Sequence, residues 1–408
     1  MPLRLDWRGI RGSCKGKIGK SGYAEAIKMN TEKSVNSPPP WNKTRVAATL
    51  GIEYPIIQGP LGGLSTQRLT ATVSNFGGLG SFGAHGLSPS VIRDVIAEIR
   101  ELTAKPFAIN LWVSMEDEGA PSSGIKEFQR SLAHVAKHIE ALGGKIPEYS
   151  PYISNRFEDQ ARVLLDAKVP VFSFIVGIPP KEILDECRTQ GIVTIGTATT
   201  PAEAIALEQG GVNVIVASGF EAGGHRGSFI LPAEESLTGT FSLTPQVKDA
   251  VSVPLVAAGG IADARGVLAA FALGAEGVQI GTAFVASEES GASPIHRNAL
   301  LSENARNTAL TKGFTGRVAR GIRNQLVDEL NRPGVEILPY PLQRFLVRNL
   351  SIHAEKAGKA ELLPLWAGQS AGLSREPDAK AFLQKLVSEI ADLAGPILDW
   401  NRERSFQN

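Results

Sequence analysis

From Tyr54 to Ala286 the chain repeats one theme: a short β-branched run, a glycine-rich turn, then apolar positions at helical spacing. Eight runs read as strands: Tyr54–Gln58, Gly78–Phe82, Pro106–Val113, Val169–Val176, Ile192–Gly196, Val212–Ala217, Val253–Ala257 and Gly277–Gly281. The runs VPVFSFIV, VNVIVAS and VPLVAA are apolar on successive residues rather than alternating. Strands of that kind are covered on both faces, which implies parallel pairing beneath outer helices. The helices between them carry start and stop signals. Ser88-Pro89 opens Val91–Leu102, Thr200-Pro201 opens Ala202–Glu208 before Gly210-Gly211, and Asp263 precedes Arg265–Leu273 and Gly274. Strands recur about every 20–25 residues in the second half, the length of a βα unit.

Eight such units in one run favour a closed barrel over an open sheet. The expected fold class is α/β: a TIM-type (β/α)8 barrel with a C-terminal, mainly helical lid or second domain. The expected divisions are a basic, disordered N-terminal extension (1–45), the barrel (46–286), a mainly helical substrate or lid region (287–375), and a C-terminal helix packing back on the barrel (376–408). A long insertion, Ser114–Lys168, separates strands three and four.

The 408 residues suit one large domain plus an appendage, and the hydrophobic fraction of 43% is ordinary for a well-filled core. A formal net charge of +1 provides no global field for nucleic acid or an anionic membrane. No nucleic-acid-binding signature and no transmembrane run occurs. Two cysteines, Cys14 and Cys187, make neither a disulfide framework nor a thiolate metal site, and no metal is expected. Sparse cysteine fits a cytoplasmic setting. The first 40 residues are basic and end in Ser37-Pro38-Pro39-Pro40. Three readings of them stay open: a mitochondrial presequence, a disordered tail, or a start site misassigned upstream of Met29.

In β/α barrels the reactive groups sit where strands end, and phosphate is held by the loops after strands seven and eight. Strand seven here runs into Ala258-Gly259-Gly260-Ile261-Ala262-Asp263 immediately before a helix. Glycine lets the backbone approach a phosphate, and the helix N-terminus supplies free N–H groups. Strand eight ends in Gln279-Ile280-Gly281-Thr282-Ala283-Phe284, which offers more donors. Two glycine turns in this order point to a mononucleotide phosphate site. After strand six comes Ser218-Gly219-Phe220-Glu221-Ala222-Gly223-Gly224-His225-Arg226-Gly227.

With Gln58-Gly59-Pro60 after strand one, the GGLG segment at Gly77–Gly80, and an INLW strand, these segments resemble the nitronate monooxygenases, formerly called 2-nitropropane dioxygenases. The likeness runs from about Gly51 to Ser287, and Trp366-Ala367-Gly368-Gln369 is similar to that family's ending. The resemblance implies FMN as cofactor. It places flavin contacts on Gly59, Pro60, Asn110, Ser218, Gly223, Gly224, Gly259, Gly260, Gln279, Ile280, Gly281 and Thr282. The family often has Gln where this chain has Ser218, whose hydroxyl has a shorter reach.

His225 matches the family's catalytic histidine. The physical case stands beside that likeness: a nitro group already delocalises an α-carbanion, so a neutral imidazole suffices as base. The implied activity is FMN-dependent oxidative denitrification of alkyl nitronates, such as propionate 3-nitronate, or of nitroalkanes. It uses O2 and gives a carbonyl product and nitrite. Two other readings compete, an NAD(P)H-dependent FMN reductase of the enoyl-reductase type and a non-catalytic flavin-binding protein. The expected partners are the small-molecule nitronate or nitroalkane and O2, with no nucleic acid and no membrane; the sequence is compatible with a homo-oligomer.

Other signals carry bland readings. Gly78, Gly80 and Gly83 match the letters of a dinucleotide fingerprint, but they follow a helix rather than a strand. His85 reads as a turn residue, with a place at the barrel mouth as the alternative. His134 and His138 are four apart on a helix face, and Cys187 reads as inert. Arg226 either holds an anion or caps a loop. Arg317, Arg320 and Arg323 have helical spacing, which predicts a charged exterior face or a meeting with an anionic substrate.

Overall fold

The computed structural model describes residues 41–114, 124–149 and 155–405, and the N-terminal extension up to residue 40 lies outside them. In chain order, α1 (Arg45–Leu50) leads to β1 (Ile56–Gln58), α2 (Gln67–Phe76), β2 (Gly80–Gly83), α3 (Pro89–Leu102) and β3 (Phe107–Trp112). The insertion contributes α4 (Ile125–Ala141) and α5 (Phe157–Asp166). Then follow β4 (Val171–Ile175), α6 (Lys181–Gln190), β5 (Val193–Ala198), α7 (Pro201–Gln209), β6 (Val214–Ser218), a two-residue β7 (Gly224–His225), α8 (Thr240–Ala250), β8 (Leu255–Ala258), α9 (Ala264–Ala272) and β9 (Gly277–Ile280).

Eight of these strands pair in parallel in the order β1-β9-β8-β6-β5-β4-β3-β2. A parallel bridge between Ile57 and Leu79 joins the two ends of that order, so the sheet closes into the expected TIM-type barrel. The helix signals act as read. Ser88 and Thr200 cap α3 and α7 through hydroxyl contacts to Val91 N and Glu203 N, with proline following each, and Asp263 accepts from Gly266 N. Helix α3 buries Ile92, Val95, Ile96 and Ile99, spacings that lay one stripe on the sheet.

Inside the barrel, Ile57, Leu79, Ala108, Val171, Ile195, Val214, Val216 and Val256 form one apolar cluster, and Val46 and Leu50 of α1 stopper its amino end. Outside, α9 packs with α14 (Ala379–Ser405), where Leu383, Leu386 and Ile390 meet Val267 and Ala270.

The segment after β9 holds α10 (Thr282–Val285), α11 (Pro294–Leu301), β10 (Thr308–Thr311), β11 (Ala319–Ile322), α12 (Gln325–Leu330) and α13 (Leu342–Lys356) ahead of α14. Here the structure departs from the sequence reading. Arg317, Arg320 and Arg323 do not share a helix: β11 runs through this stretch and pairs antiparallel with β10 on one side and β7 on the other. Ladder hydrogen bonds from two neighbours override the helical spacing of three arginines. Arg320 is buried, its Nε donating to Phe220 O at 3.0 Å and its Nη1 to Thr308 Oγ1 at 3.1 Å. Arg323 alone keeps an exterior place, with Nε 2.7 Å from Asp328 Oδ1.

Candidate active site

Along the lumen, side chains change from apolar to polar towards the carboxyl ends of the strands. Asn110 Nδ2 donates to Ser173 Oγ at 2.9 Å across β3 and β4, and both are buried. The side chains of Ser218 and Gln279 are half-buried and have no protein hydrogen-bond partner among the described residues. Polar groups left in that state mark a surface meant for another molecule.

The glycine turns converge as the sequence requires. Ala258 pairs with Ser218 on one side and Gln279 on the other, so the loops after β6, β8 and β9 start side by side. Gly259 and Gly260 have φ of 98° and 72°, the left-handed region that favours glycine. The N–H groups of Gly260, Gly281 and Thr282 donate to no described acceptor, and Thr282 opens α10. Gly59 lies against them, its N–H donating to Ile280 O at 2.7 Å, with Pro60 next in the turn. This cluster of backbone donors at adjoining strand ends fits an anionic phosphate.

Residues distant in sequence complete the cradle. Gly368 N donates to Thr282 Oγ1 at 2.9 Å, Gln369 N to Glu221 O at 2.9 Å, and Ser370 Oγ to Gly260 O at 2.6 Å. A Cβ added to Gly223 would stand 2.6 Å from Gly368 N, so the β6 loop and the Trp366–Gln369 segment approach too closely for any side chain. A Cβ on Gly224, by contrast, would meet nothing within 4 Å. Glu221 secures the loop from behind, accepting from Thr240 N at 2.9 Å.

His225 is held by β7. That strand has only two residues, and its partner β11 lies nearly a hundred residues later, Ala319 facing His225 and Arg320 facing Gly224. His225 Nε2 is 2.8 Å from Thr315 Oγ1. The ring meets Trp112 edge-on at 4.8 Å, Trp366 at 5.2 Å and Tyr340 at 6.3 Å between centroids. Burial pushes its pKa well below the ordinary histidine value, and neighbouring His85, Arg344 and Arg317 add to the shift. His225 is therefore a neutral imidazole at physiological pH, able to accept a proton.

Arg226 resolves its two readings in favour of the loop. Its buried guanidinium donates to Ser236 O at 2.9 Å and Thr199 O at 3.2 Å, and also to Ser218 O. Burial pushes its pKa down to about 10, which leaves it charged at pH 7. With three carbonyls engaged, this fork fixes the loop beyond His225 rather than waiting for an anion.

Two of the residues with bland readings, His85 and Arg317, belong to the same wall. His85 stacks on Trp112 at 4.2 Å and 9°, so it stands at the mouth rather than serving a turn alone. Burial holds its pKa down to about 3, with Arg344 and Arg317 contributing. Arg317 lies over the Trp112 and Tyr340 rings, 5.3 and 4.7 Å from their centroids. Thr315, Tyr340 and Trp366 come from the lid, where no spacing marks them. His296 donates from Nε2, 2.9 Å from Trp366 O, anchoring that segment from behind.

The remaining candidates are structural. His138 Nε2 sits 2.8 Å from Glu329 Oε2, tying α4 to α12, and Cys187 is buried with its thiol pushed up to about 11. Among the described residues no three His, Cys, Asp or Glu side chains converge to hold a metal, and no helix is long and apolar enough to cross a membrane.

Comparison with known proteins gives a consistent result. Residues 43–389 match the family model for nitronate monooxygenase. A probable nitronate monooxygenase of Staphylococcus aureus (strain Newman) is 40% identical over 357 residues, covering 86% of this chain and 98% of that protein. Among solved structures, a nitroalkane oxidase from Streptomyces ansochromogenes superposes with a TM-score of 0.78 at 34% identity, covering 86% of this chain and 99% of the other. FabK from Thermotoga maritima gives 0.69 at 30% identity over 88% and 99%.

Proposed function

Because this chain belongs to the nitronate monooxygenase family of oxidoreductases, we propose that it carries out FMN-dependent oxidative denitrification of alkyl nitronates or nitroalkanes with O2. One observation carries the reading: a neutral imidazole, His225, stands in an aromatic wall at the barrel mouth that also holds a cradle of unpaired N–H groups.

The residues present fit the cofactor. Gly260, Gly281 and Thr282 would take its phosphate, and Ser218 and Gln279 offer unpartnered side chains to the polar edge of its ring. Asn110 lies deeper in the lumen, already committed to Ser173, and would contribute through its remaining lone pairs. When bound, FMN supplies the electron transfer from nitronate to O2 that yields a carbonyl compound and nitrite.

The protein's own part is acid–base work and exclusion of water. His225 takes a proton from the α-carbon of a nitroalkane, leaving the nitronate and an imidazolium. The Thr315 hydroxyl orients the ring through Nε2. The low pKa of His225 keeps it unprotonated, and proton loss from the nitroalkane is driven by delocalisation into the nitro group. A substrate that arrives as a preformed nitronate bypasses that step. Trp112, Tyr340 and Trp366 keep water from the carbon under attack.

Purified protein should be yellow and should consume O2 with propionate 3-nitronate, releasing nitrite. A colourless preparation that takes up no added FMN overturns the reading. The likeness to FabK keeps a second flavin chemistry in view, since one barrel hosts several, here an NAD(P)H-dependent reductase of the enoyl-reductase type. Anaerobic bleaching by NADPH without any nitro compound supports that second reading, and inactivity in both assays supports a binding protein without turnover.

A further inference from the structure

Behind the loop that carries His225 lies a carboxylate with no solvent exposure, that of Glu203. Thr200-Pro201-Ala202-Glu203 has the spelling of a capping box, in which the glutamate turns back to the N-cap backbone at the helix surface. Helix α4 shows that ordinary form: Glu127 Oε2 accepts from Gly124 N at 3.0 Å and stays partly exposed. Glu203 does otherwise. Its Oε2 accepts from Thr199 N and Thr199 Oγ1, both at 2.6 Å, one residue ahead of the N-cap. Its Oε1 accepts from Phe229 N at 2.6 Å and Ile230 N at 3.1 Å, on the loop that follows β7.

The same loop is held at its start. Arg226 and Glu203 meet across one residue: the guanidinium donates to Thr199 O at 3.2 Å, and Thr199 gives its N–H and hydroxyl to the carboxylate. Among the carboxylates whose charge acts on Arg226, Glu203 acts most strongly. Between the two fastenings Gly227 lies so close to β4 that an added Cβ would stand 2.3 Å from Ile175 Cδ1. Beyond them Ile230 and Leu231 turn outward, 49% and 43% exposed. The chain is thus clamped from Arg226 to Ile230 against the ends of β4, β5 and β6, and released immediately afterwards. Burying a carboxylate is costly unless donors satisfy it, and a surface capping box would serve the helix as well. Four donors on one buried carboxylate, two of them from a distant loop, serve the geometry of that loop.

We propose that Glu203 is a positioning residue for the base: with Arg226 it sets the depth and direction in which β7 delivers the His225 ring against Thr315. It acts through the loop and not on the reacting atoms. This deepens the nitronate reading above, and one arm of its test stands apart from that reading.

The experiment compares the flavin-loaded wild type with Glu203→Gln, Glu203→Asp and Leu207→Ala. The amide of Gln turns N–H groups towards one pair of donors, so two of the four bonds are lost at nearly unchanged size. Asp keeps the charge but, one methylene shorter, cannot span both pairs. Leu207, buried in the same helix, is the control for a merely destabilised α7. Turnover is measured on nitroethane and on preformed ethyl nitronate, and amide exchange is followed over residues 226–230. Glu203→Gln should lose about 10- to 100-fold on nitroethane and less than about threefold on the nitronate, because displacement of the base impairs proton removal alone. Glu203→Asp should fall between it and the wild type. Exchange at Phe229 and Ile230 should quicken at least about tenfold in Glu203→Gln. Leu207→Ala should lower the melting temperature and leave the ratio of the two rates as in the wild type. An unchanged ratio or unchanged exchange in Glu203→Gln, equal losses on both substrates, or the same change of ratio in Leu207→Ala overturns the assignment. Should Glu203→Gln not fold, the ratio and the exchange in Glu203→Asp decide by the same criteria. A wild type that oxidises neither substrate defeats the proposed function, and exchange at Phe229 and Ile230 then decides the clamp by itself.

Discussion

The same eight strands fill the lumen at both ends, with opposite materials. Towards the amino end, Leu79, Val171, Ile195, Val214, Val216 and Val256 interlock under a stopper of Val46 and Leu50. Towards the carboxyl end the strands carry Asn110, Ser173, Ser218 and Gln279, then give way to glycine turns and a wall of aromatic rings. The first half is packed so that nothing else fits, and its residues are interchangeable in kind. The second half leaves backbone and side-chain donors unpaired among the described residues, a state that packing alone would not select. Stability and chemistry are thus divided along one axis, as is usual for this architecture.

The division can be broken most sharply at its reactive end. His225→Asn should slow oxidation of neutral nitroalkanes by about 10²- to 10⁴-fold while preformed nitronates suffer far less, read by O2 uptake on each. Equal losses would remove His225 as the base.

The packed end should answer in stability instead. Leu79→Ala, at a fully buried position, should cost about 2–5 kcal/mol in a denaturant titration, with turnover per bound flavin retained. A drop in turnover per flavin would show that the two ends are not separate.

A smaller effect is expected at the cradle. Gly260→Val forces a β-branched residue into φ of 72°. It should weaken flavin retention roughly tenfold for about 1–3 kcal/mol of strain, seen as a lower ratio of flavin to protein absorbance. Full retention would move the phosphate elsewhere.

The mildest test uses pH. With a folded pKa of about 3 against about 6.5 in the unfolded chain, His85 stays neutral while its unfolded counterpart takes a proton. Between those values the unfolded state binds more protons, so stability is complete above pH 6.5 and declines as pH falls towards 3. The slope approaches about 1.4 kcal/mol per pH unit for each such histidine. His85→Gln should flatten the melting-temperature profile below pH 6, and an unchanged profile would place His85 in solvent.

The barrel was legible because each βα unit is local: a run of Val and Ile, a glycine, and a capped helix within about 25 residues. The glycine turns were legible for the same reason, and the structure sets Gly259, Gly260, Gly281 and Thr282 at adjoining strand ends. The wall around His225 was not. Trp112 reads as one residue near the end of a strand, Thr315 and Tyr340 arrive from the lid by pairings that leave no periodicity, and Trp366 stands out only through the resemblance of its segment. A two-residue strand such as β7 offers no pattern to detect, and the spacing of Arg317, Arg320 and Arg323 mimics a helix although a strand runs through it. The sequence displays what neighbours along the chain dictate, and the residues that surround His225 lie ninety or more positions from it.

The pairing of β7 with β11 has a mechanical corollary. The imidazole rides on a rung shared between the barrel and the covering segment, so that segment cannot swing away as a hinged door without dragging the imidazole with it. The two strands should therefore exchange their amide protons as one unit, at a single rate.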